Sequence, residues 1–484
     1  MLFNSFNFLF FLPIVFVLYW HVFQRKRWQN LFVVVASYVF YGWWDWRFLL
    51  LIVFTSLCSY GSGLLIERYA LRGNMRSAKW WTGLNIAANL LVLCTFKYFN
   101  FFTESLQSLF GSLGLTLDVP TLKVILPVGI SFYTFQALSY TIDVYRRQLP
   151  ATRDLAAFFA YISFFPQLVA GPIERATNLL PQFQKSRAFD YAKAVDGLRQ
   201  MLWGFFKKLV VADNCAVAVN GIWGSYPDQS GLALWIAAFL FTFQIYCDFS
   251  GYSDIAIGCA RLFGIKLRRN FNVPYFSRNI QEFWRRWHIS LMTWFRDYVY
   301  IPLGGSRGGR WMTIRNILIV FLLSGLWHGA DWTFVLWGLY HGLLLSLLVL
   351  VGHKTKYKDV VADGRWLPSL KEVVQMVFTF VLVLIGWIVF RAEHVTQLAD
   401  IVNKLFSPTG FLNLYGSDLR VDVFIFIAFM LVIEWLQRDK EHALQLPALR
   451  IFSYRLVRVS IYYFLIALIW VAYSFSQEFI YFQF

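Results

Sequence analysis

The chain has 484 residues, 58% of them hydrophobic and 15% charged, with a mean hydropathy of +0.53. A soluble domain carries roughly 25% charge, so this composition argues against a water-soluble globular protein and for a bilayer as solvent. The net charge of +17 lies in short clusters between apolar runs, as cytoplasmic loops do, which argues against a nucleic-acid-binding face.

A spanning helix needs roughly 20 mostly apolar residues to cross a hydrocarbon core about 30 Å thick. Runs at 3–23, 30–45, 47–66, 81–99 and 122–142 read as such spans. Arg25, Lys26 and Arg27 follow the first run instead of preceding it, so a retained span is expected there and not a cleaved leader. Basic residues also follow the third run (Arg68, Arg72, Arg76, Lys79) and the fifth (Arg146, Arg147, Arg153), which puts these loops in the cytoplasm. The run at 154–171 has basic flanks and is interrupted by Pro166 and Gly171-Pro172, so it reads as re-entrant. The stretch 196–208, ending in Lys207-Lys208, reads as an interfacial helix. Spans at 209–225 and 231–258 follow, the second expected to break near Asp248–Asp254. The connection 261–315 holds eleven Lys or Arg against Glu282 and Asp297, and reads as the longest cytoplasmic loop.

Further spans are expected at 316–330, 332–351, 372–390, 421–437 and 459–477, with Lys354, Lys356, Lys358 and then Arg438 and Lys440 in cytoplasmic connections. The expectation is an all-α polytopic membrane protein with 11–13 membrane helices plus re-entrant and interfacial helices. It forms a single membrane-embedded domain over 1–484, with a core at about 120–350 and C-terminal helices at about 370–484. No internal repeat is visible, which counts against a transporter built from inverted halves. The five cysteines lie in or beside apolar runs and form no Cys-x-x-Cys pair, so they read as small hydrophobes, and no metal site is expected.

Ionisable residues inside spans are functional candidates by default. Leu326-Trp327-His328-Gly329-Ala330-Asp331-Trp332 joins two apolar runs. The run before His328 starts only after Arg315 and reads as too short to cross, which puts the Gly-Ala-Asp turn at depth. A histidine there could act as general base, or could be structural and donate to a nearby carbonyl. Phe283-Trp284-Arg285-Arg286-Trp287-His288 suits either an interfacial element holding a phosphate-bearing donor or simple topological charge. Gln244, Asp248, Tyr252, Ser253 and Asp254 fit a polar cavity, with either carboxylate orienting a histidine or pairing with an arginine to hold the fold. Gly304-Gly305-Ser306-Arg307-Gly308 matches the serine-hydrolase pattern, but lies in a cationic loop without the strand and helix which that pattern needs. His21 and His341 lie within spans and are lesser candidates, and His353, His394 and His442 are expected solvated in loops.

At these residues the chain resembles the membrane-bound O-acyltransferase family, in its AlgI-type branch for alginate and polysaccharide O-acetylation. The resemblance is carried by Phe165-Pro166-Gln167-Leu168-Val169-Ala170-Gly171-Pro172, Asp248–Asp254, Asn270-Phe271-Asn272-Val273-Pro274-Tyr275, Phe283–His288 and Leu326–Ala330, in that order along the chain. It implies a ring of helices around a tunnel that crosses the membrane, with His328 and His288 as the catalytic residues. It implies His328 as the base, with His288 polarising the carbonyl or stabilising the oxyanion. The tunnel would be lined by Gln244, Asp248, Tyr252, Ser253, Asp254 and Trp327, and the donor held by Trp284, Arg285 and Arg286. The expected donor is acetyl-CoA or another thioester, with no permanently bound cofactor. The expected acceptor is a hydroxyl on a periplasmic SGNH-type acetyltransferase partner, in the bacterial cytoplasmic membrane. D-alanyl transfer from a carrier protein, and transport of a lipid-linked sugar, are the alternatives.

Overall fold

Polar residues start the helices. Ser5, Asn74, Asp154, Asn279, Asp331 and Ser369 each accept a hydrogen bond from a backbone N–H in the first turn that follows, satisfying a donor the helix leaves open. The computed structural model describes all residues except 118, 120, 123–124, 170, 353–356, 358, 409–411, 413–419, 446–453, 474–476 and 481–484. Ala170, His353, Lys354, Lys356 and Lys358 therefore lie outside the described residues, as does part of the expected span 459–477. No strand occurs among the described residues, and the chain is an all-α polytopic membrane protein. Among the described residues, seven helical stretches are long and apolar enough to cross a bilayer. Two of these, Lys26–Leu71 and Met75–Ser112, run to 46 and 38 residues and each contain more than one helix.

One compact unit is Met1–Ala194 with Cys259–Arg268. It contains α1 (Phe6–Val17), α2 (Lys26–Asp45), α3 (Leu49–Leu71), α4 (Met75–Leu93), α5 (Phe99–Ser112), α6 (Ile130–Tyr145), α7 (Leu155–Ser163), α8 (Phe165–Leu168) and α9 (Ala176–Gln184). Helices α3, α4 and α6 meet through small and polar residues. Asn85 donates to Ser59 Oγ at 3.3 Å, and Thr141 donates to Asn85 Oδ1 at 2.9 Å. Such contacts replace the hydrophobic drive that lipid cannot supply. The segment expected to be re-entrant forms the nine-residue α7, a break at Phe164 and the single turn α8. At 1.5 Å per residue α7 is about 13 Å long, too short to cross. Pro166 lies in the first turn of α8, where a backbone N–H would have no partner within the helix, so it suits a helix that starts afresh after the break at Phe164.

The second unit is Val195–Gly258 with Arg269–Phe484. The stretch expected to be an interfacial helix belongs instead to one helical rod: α10 (Tyr191–Phe205), a π-helical segment (Phe206–Ala212) and α11 (Asp213–Gly224). Lys207 and Lys208 are buried in it. Helix α12 (Gly231–Leu262) runs unbroken for 32 residues, so the break expected at Asp248–Asp254 does not occur. Rod and α12 cross at glycines: a Cβ on Gly204 would lie 2.7 Å from the Gly251 carbonyl oxygen.

The connection 261–315, expected to be the longest cytoplasmic loop, is folded from Arg269 onward into the second unit. It forms α13 (Ile280–Arg286) and α14 (Ile289–Phe295), with Asn270, Trp284, Trp287 and His288 buried. Helix α15 (Gly309–His328) begins seven residues before the expected start and has 20 residues. It therefore spans about 30 Å, and the argument that its run is too short to cross fails. Helices α16 (Trp332–Leu350), α17 (Leu370–Arg391), α18 (Val395–Leu405), α19 (Val421–Leu436) and α20 (Arg455–Ala472) complete the unit. The α15–α16 hairpin is closed by Gly325 and Gly338, where an added Cβ would strike the Phe334 and Phe321 carbonyls respectively.

Candidate active site

His328 is the last residue of α15, and Asp331 opens α16 by accepting from the Thr333 N–H at 2.9 Å. Gly329 is required in the turn, because a side chain there would collide with the Phe334 ring. His328 is buried in an aromatic box, with ring centroids 5.0 Å from Trp327, 5.0 Å from Trp337 and 5.4 Å from Phe390.

His288 joins α13 to α14 in the left-handed backbone region, at φ 42° and ψ 53°. That conformation costs an L-residue about 1–2 kcal/mol, and such strain concentrates at functional sites. A backbone clamp holds it: Asn272 N–H donates to Arg286 O at 2.9 Å, and Ile289 N–H donates to Asn270 O at 2.8 Å. The imidazole packs against Phe249 at 4.6 Å and Trp327 at 5.8 Å. Trp327 is thus a neighbour common to both histidines. His288 Nδ1 lies 3.2 Å from Asn270 Oδ1, and Nε2 is buried with no hydrogen-bond partner among the described residues. Burial pushes the His288 pKa well down, so the ring is neutral.

The two carboxylates of α12 do not orient a histidine. Asp254 pairs with Lys207 at 2.6 Å and accepts from Gln200 at 2.8 Å. Asp248 pairs with Lys208 at 2.9 Å and accepts from the Ile480 N–H at 2.7 Å. Lys208 also reaches Asp213 at 2.8 Å. Ionic groups this deep are tolerated because each has an opposite charge in reach. Asn270 takes the orienting role, with Ser253 Oγ accepting from its amide nitrogen at 3.0 Å. Tyr252 is buried against Phe479 at 4.1 Å, and Gln244 is buried with its carbonyl oxygen unpartnered among the described residues.

The expected donor-binding residues separate. Arg286 is buried and holds Glu282 at 2.8 Å, a carboxylate it shares with Arg278 at 3.0 Å. Arg285 is exposed, with one long hydrogen bond to Tyr357 O at 3.4 Å. Trp284 is buried against Phe321 and against His341, whose ring is 5.0 Å away. His442, expected to be solvated, is buried with Nε2 3.0 Å from Asp196, whereas His394 is exposed. A small pocket is lined by Lys207, Ser253, Asp254, Arg269, Asn270 and Glu434, and so abuts the residues that hold His288.

Sequence reasoning passed over Asn270, Lys207, Lys208 and Glu434 as site residues. A signal existed for the last three, since each is an ionisable residue in or beside an apolar run. Asn270 offered none beyond its place in a quoted motif.

The model of the membrane-bound O-acyltransferase (MBOAT) family matches residues 39–382, which include His288, Asn270 and His328. The chain is 43% identical over 408 residues to "Probable alginate O-acetylase AlgI" of Pseudomonas aeruginosa, covering 84% of this chain and 75% of that protein. It is 34% identical over 440 residues to "Peptidoglycan O-acetyltransferase" of Helicobacter pylori, covering 85% and 80%. It is 31% identical over 287 residues to "Teichoic acid D-alanyltransferase" of Bacillus subtilis, covering 55% and 69%.

Proposed function

The chain belongs to the membrane-bound O-acyltransferase family, and from that premise we propose that it moves an acetyl group from a cytoplasmic thioester, acetyl-CoA, to a hydroxyl acceptor that serves O-acetylation of an extracellular, alginate-like polysaccharide. The chain is a multi-pass membrane acyltransferase. The observation that carries the finer reading is the pair of buried histidines, His328 and His288, which share the neighbour Trp327. A thioester exchanging its thiol for a hydroxyl needs a proton moved from oxygen to sulfur and a donor for the carbonyl oxygen as it becomes an anion. Two imidazoles in a dry, aromatic site supply both roles, and low dielectric strengthens each contact.

The proposal includes a bacterial cytoplasmic-membrane location and an acceptor presented by a periplasmic SGNH-type partner. Arg285, exposed and weakly held, is free to meet the donor phosphates. The D-alanyl alternative has less support, because the teichoic acid relative matches 55% of this chain against 84% for the alginate O-acetylase. No observation favours transport.

Replacing His328 by Ala should lower polysaccharide acetylation in cells by roughly 100- to 10,000-fold, the range for a lost acid–base group, while the protein stays inserted in the membrane. Wild-type acetylation by that variant would refute the assignment.

A further inference from the structure

Between α9 and α10 the chain walls a groove that lies wholly within the first unit, lined in part by Lys185, Arg187, Phe189, Asp190, Tyr191 and Lys193. Arg187 is half-buried there. Its guanidinium donates to Asn30 Oδ1 at 2.7 Å, to Gln29 Oε1 at 3.4 Å and to the Gln182 carbonyl at 3.3 Å. It also lies over the Tyr19 and Phe183 rings, 5.7 and 5.4 Å from their centroids. All of these partners are neutral, so they fix the cation in place without cancelling its charge. No carboxylate pairs with it among the described residues, in contrast to Arg286, which Glu282 neutralises. Lys185 is exposed and Lys193 pairs with Asp190 at 2.9 Å, so the groove carries three cations against one carboxylate.

The neighbours of the groove set its depth in the bilayer. Phe189 packs edge-on against Phe16 at 5.8 Å and Trp20 at 5.5 Å yet stays exposed, as does Tyr191. Aromatic rings open to their surroundings beside basic residues are characteristic of the headgroup level. Lys26 donates to the Gln184 carbonyl at 3.2 Å and lies 3.8 Å from Asp154, which ties the groove to the Arg25–Arg27 cluster and to Arg153. The groove therefore lies on the face to which the positive-inside rule assigns those clusters, the one that meets the anionic lipids of the cytoplasmic leaflet.

We propose that this groove binds the phosphate headgroup of an anionic phospholipid, with Arg187 as the fixed cation and Lys185 and Lys193 closing on the phosphate from the rim. A guanidinium held flat by neutral acceptors suits a phosphate, and the two lysines on flexible stems add charge without demanding one geometry. Phe189 and Tyr191 lie beside the glycerol and upper acyl chains. The bound lipid pins the α9–α10 connection to the membrane surface. The proposal stands apart from the acyl-transfer reading, since none of these residues belongs to the histidine site.

Native mass spectrometry of the full chain in mild detergent, titrated with phosphatidylglycerol or phosphatidylcholine, measures the binding directly. Phosphatidylglycerol should be retained in preference to phosphatidylcholine. The double substitution Lys185→Gln with Lys193→Gln should weaken phosphatidylglycerol binding about 30-fold, the worth of two lysines at an anionic surface. Both side chains are exposed, so the unfolding temperature should not move. Arg76→Gln with Lys79→Gln removes the same charge from exposed positions outside the groove and should leave binding at the wild-type level. Equal retention of the two lipids, or an equal loss in the two double variants, would reduce the groove to diffuse attraction and overturn the proposal. Displacement of the bound lipid by acetyl-CoA would give the groove to the phosphates of a soluble ligand and overturn it as well.

Discussion

Arg285 and Arg286 are neighbours in sequence and opposites in the fold. Arg286 is buried on Glu282, so Arg286→Gln leaves a buried carboxylate short of a partner. Its expected effect is a stability loss of about 3 kcal/mol, read as a lower unfolding temperature in detergent, with donor KM little changed in the folded fraction. Arg285→Gln should do the reverse, raising the acetyl-CoA KM at unchanged stability, because an exposed side chain with one long hydrogen bond holds little of the fold. Equal effects of the two substitutions would contradict this division. Sequence could not separate the pair, since both sit in one aromatic–arginine run and only packing decides which is covered. The same holds for Asp248 and Asp254. Their depth was legible, but their partners were not, because Lys207-Lys208 reads as the charged end of an interfacial helix until α12 is laid across it.

At the scale of elements, the unbroken α12 follows from that pairing. Carboxylates inside an apolar helix suggest a break when nothing neutralises them, and here lysines from the adjacent rod do so. Helix α15 starts at Gly309 because arginines in the first turns of a membrane helix can extend toward the interface on their alkyl stems, so Arg310 and Arg315 do not end it. Its register also depends on Gly325, which sets how closely α15 and α16 approach and hence where His328 points. Gly325→Ala is expected to cost about 1–3 kcal/mol, since the clash is with backbone that cannot swing aside. Activity should fall with stability. Gly83→Ala in α4 meets nothing within 4 Å and serves as the neutral control. Comparable unfolding temperatures for the two variants would show that the hairpin is not glycine-limited.

For the whole molecule, membrane residence and the all-α class follow from composition and charge placement, and the described helices agree with them. Span boundaries were less legible. Apolar runs in this chain do not coincide with helices: α2 and α3 lie within one stretch of 46 residues, while α7 and α8 divide a single apolar run. The site was legible as a set of motifs. Its internal wiring was not, since hydrogen bonds such as His288 to Asn270 join residues 18 apart through a turn that no periodicity announces. The second unit also extends past the family match at residue 382, and Phe479 and Ile480 pack onto Tyr252 and Asp248 of α12. Phe479 and Ile480 thus belong to the same packed body as the histidines.

The central claim is that the chain catalyses acetyl transfer through His328 and His288. It is tested most directly with the purified protein in proteoliposomes, supplied with acetyl-CoA carrying a labelled acetyl group, by measuring label transferred to a hydroxyl acceptor. Wild-type protein should transfer label, and both His328→Ala and His288→Ala should fall to background while still binding the donor. Transfer at the wild-type rate by either variant would contradict the account.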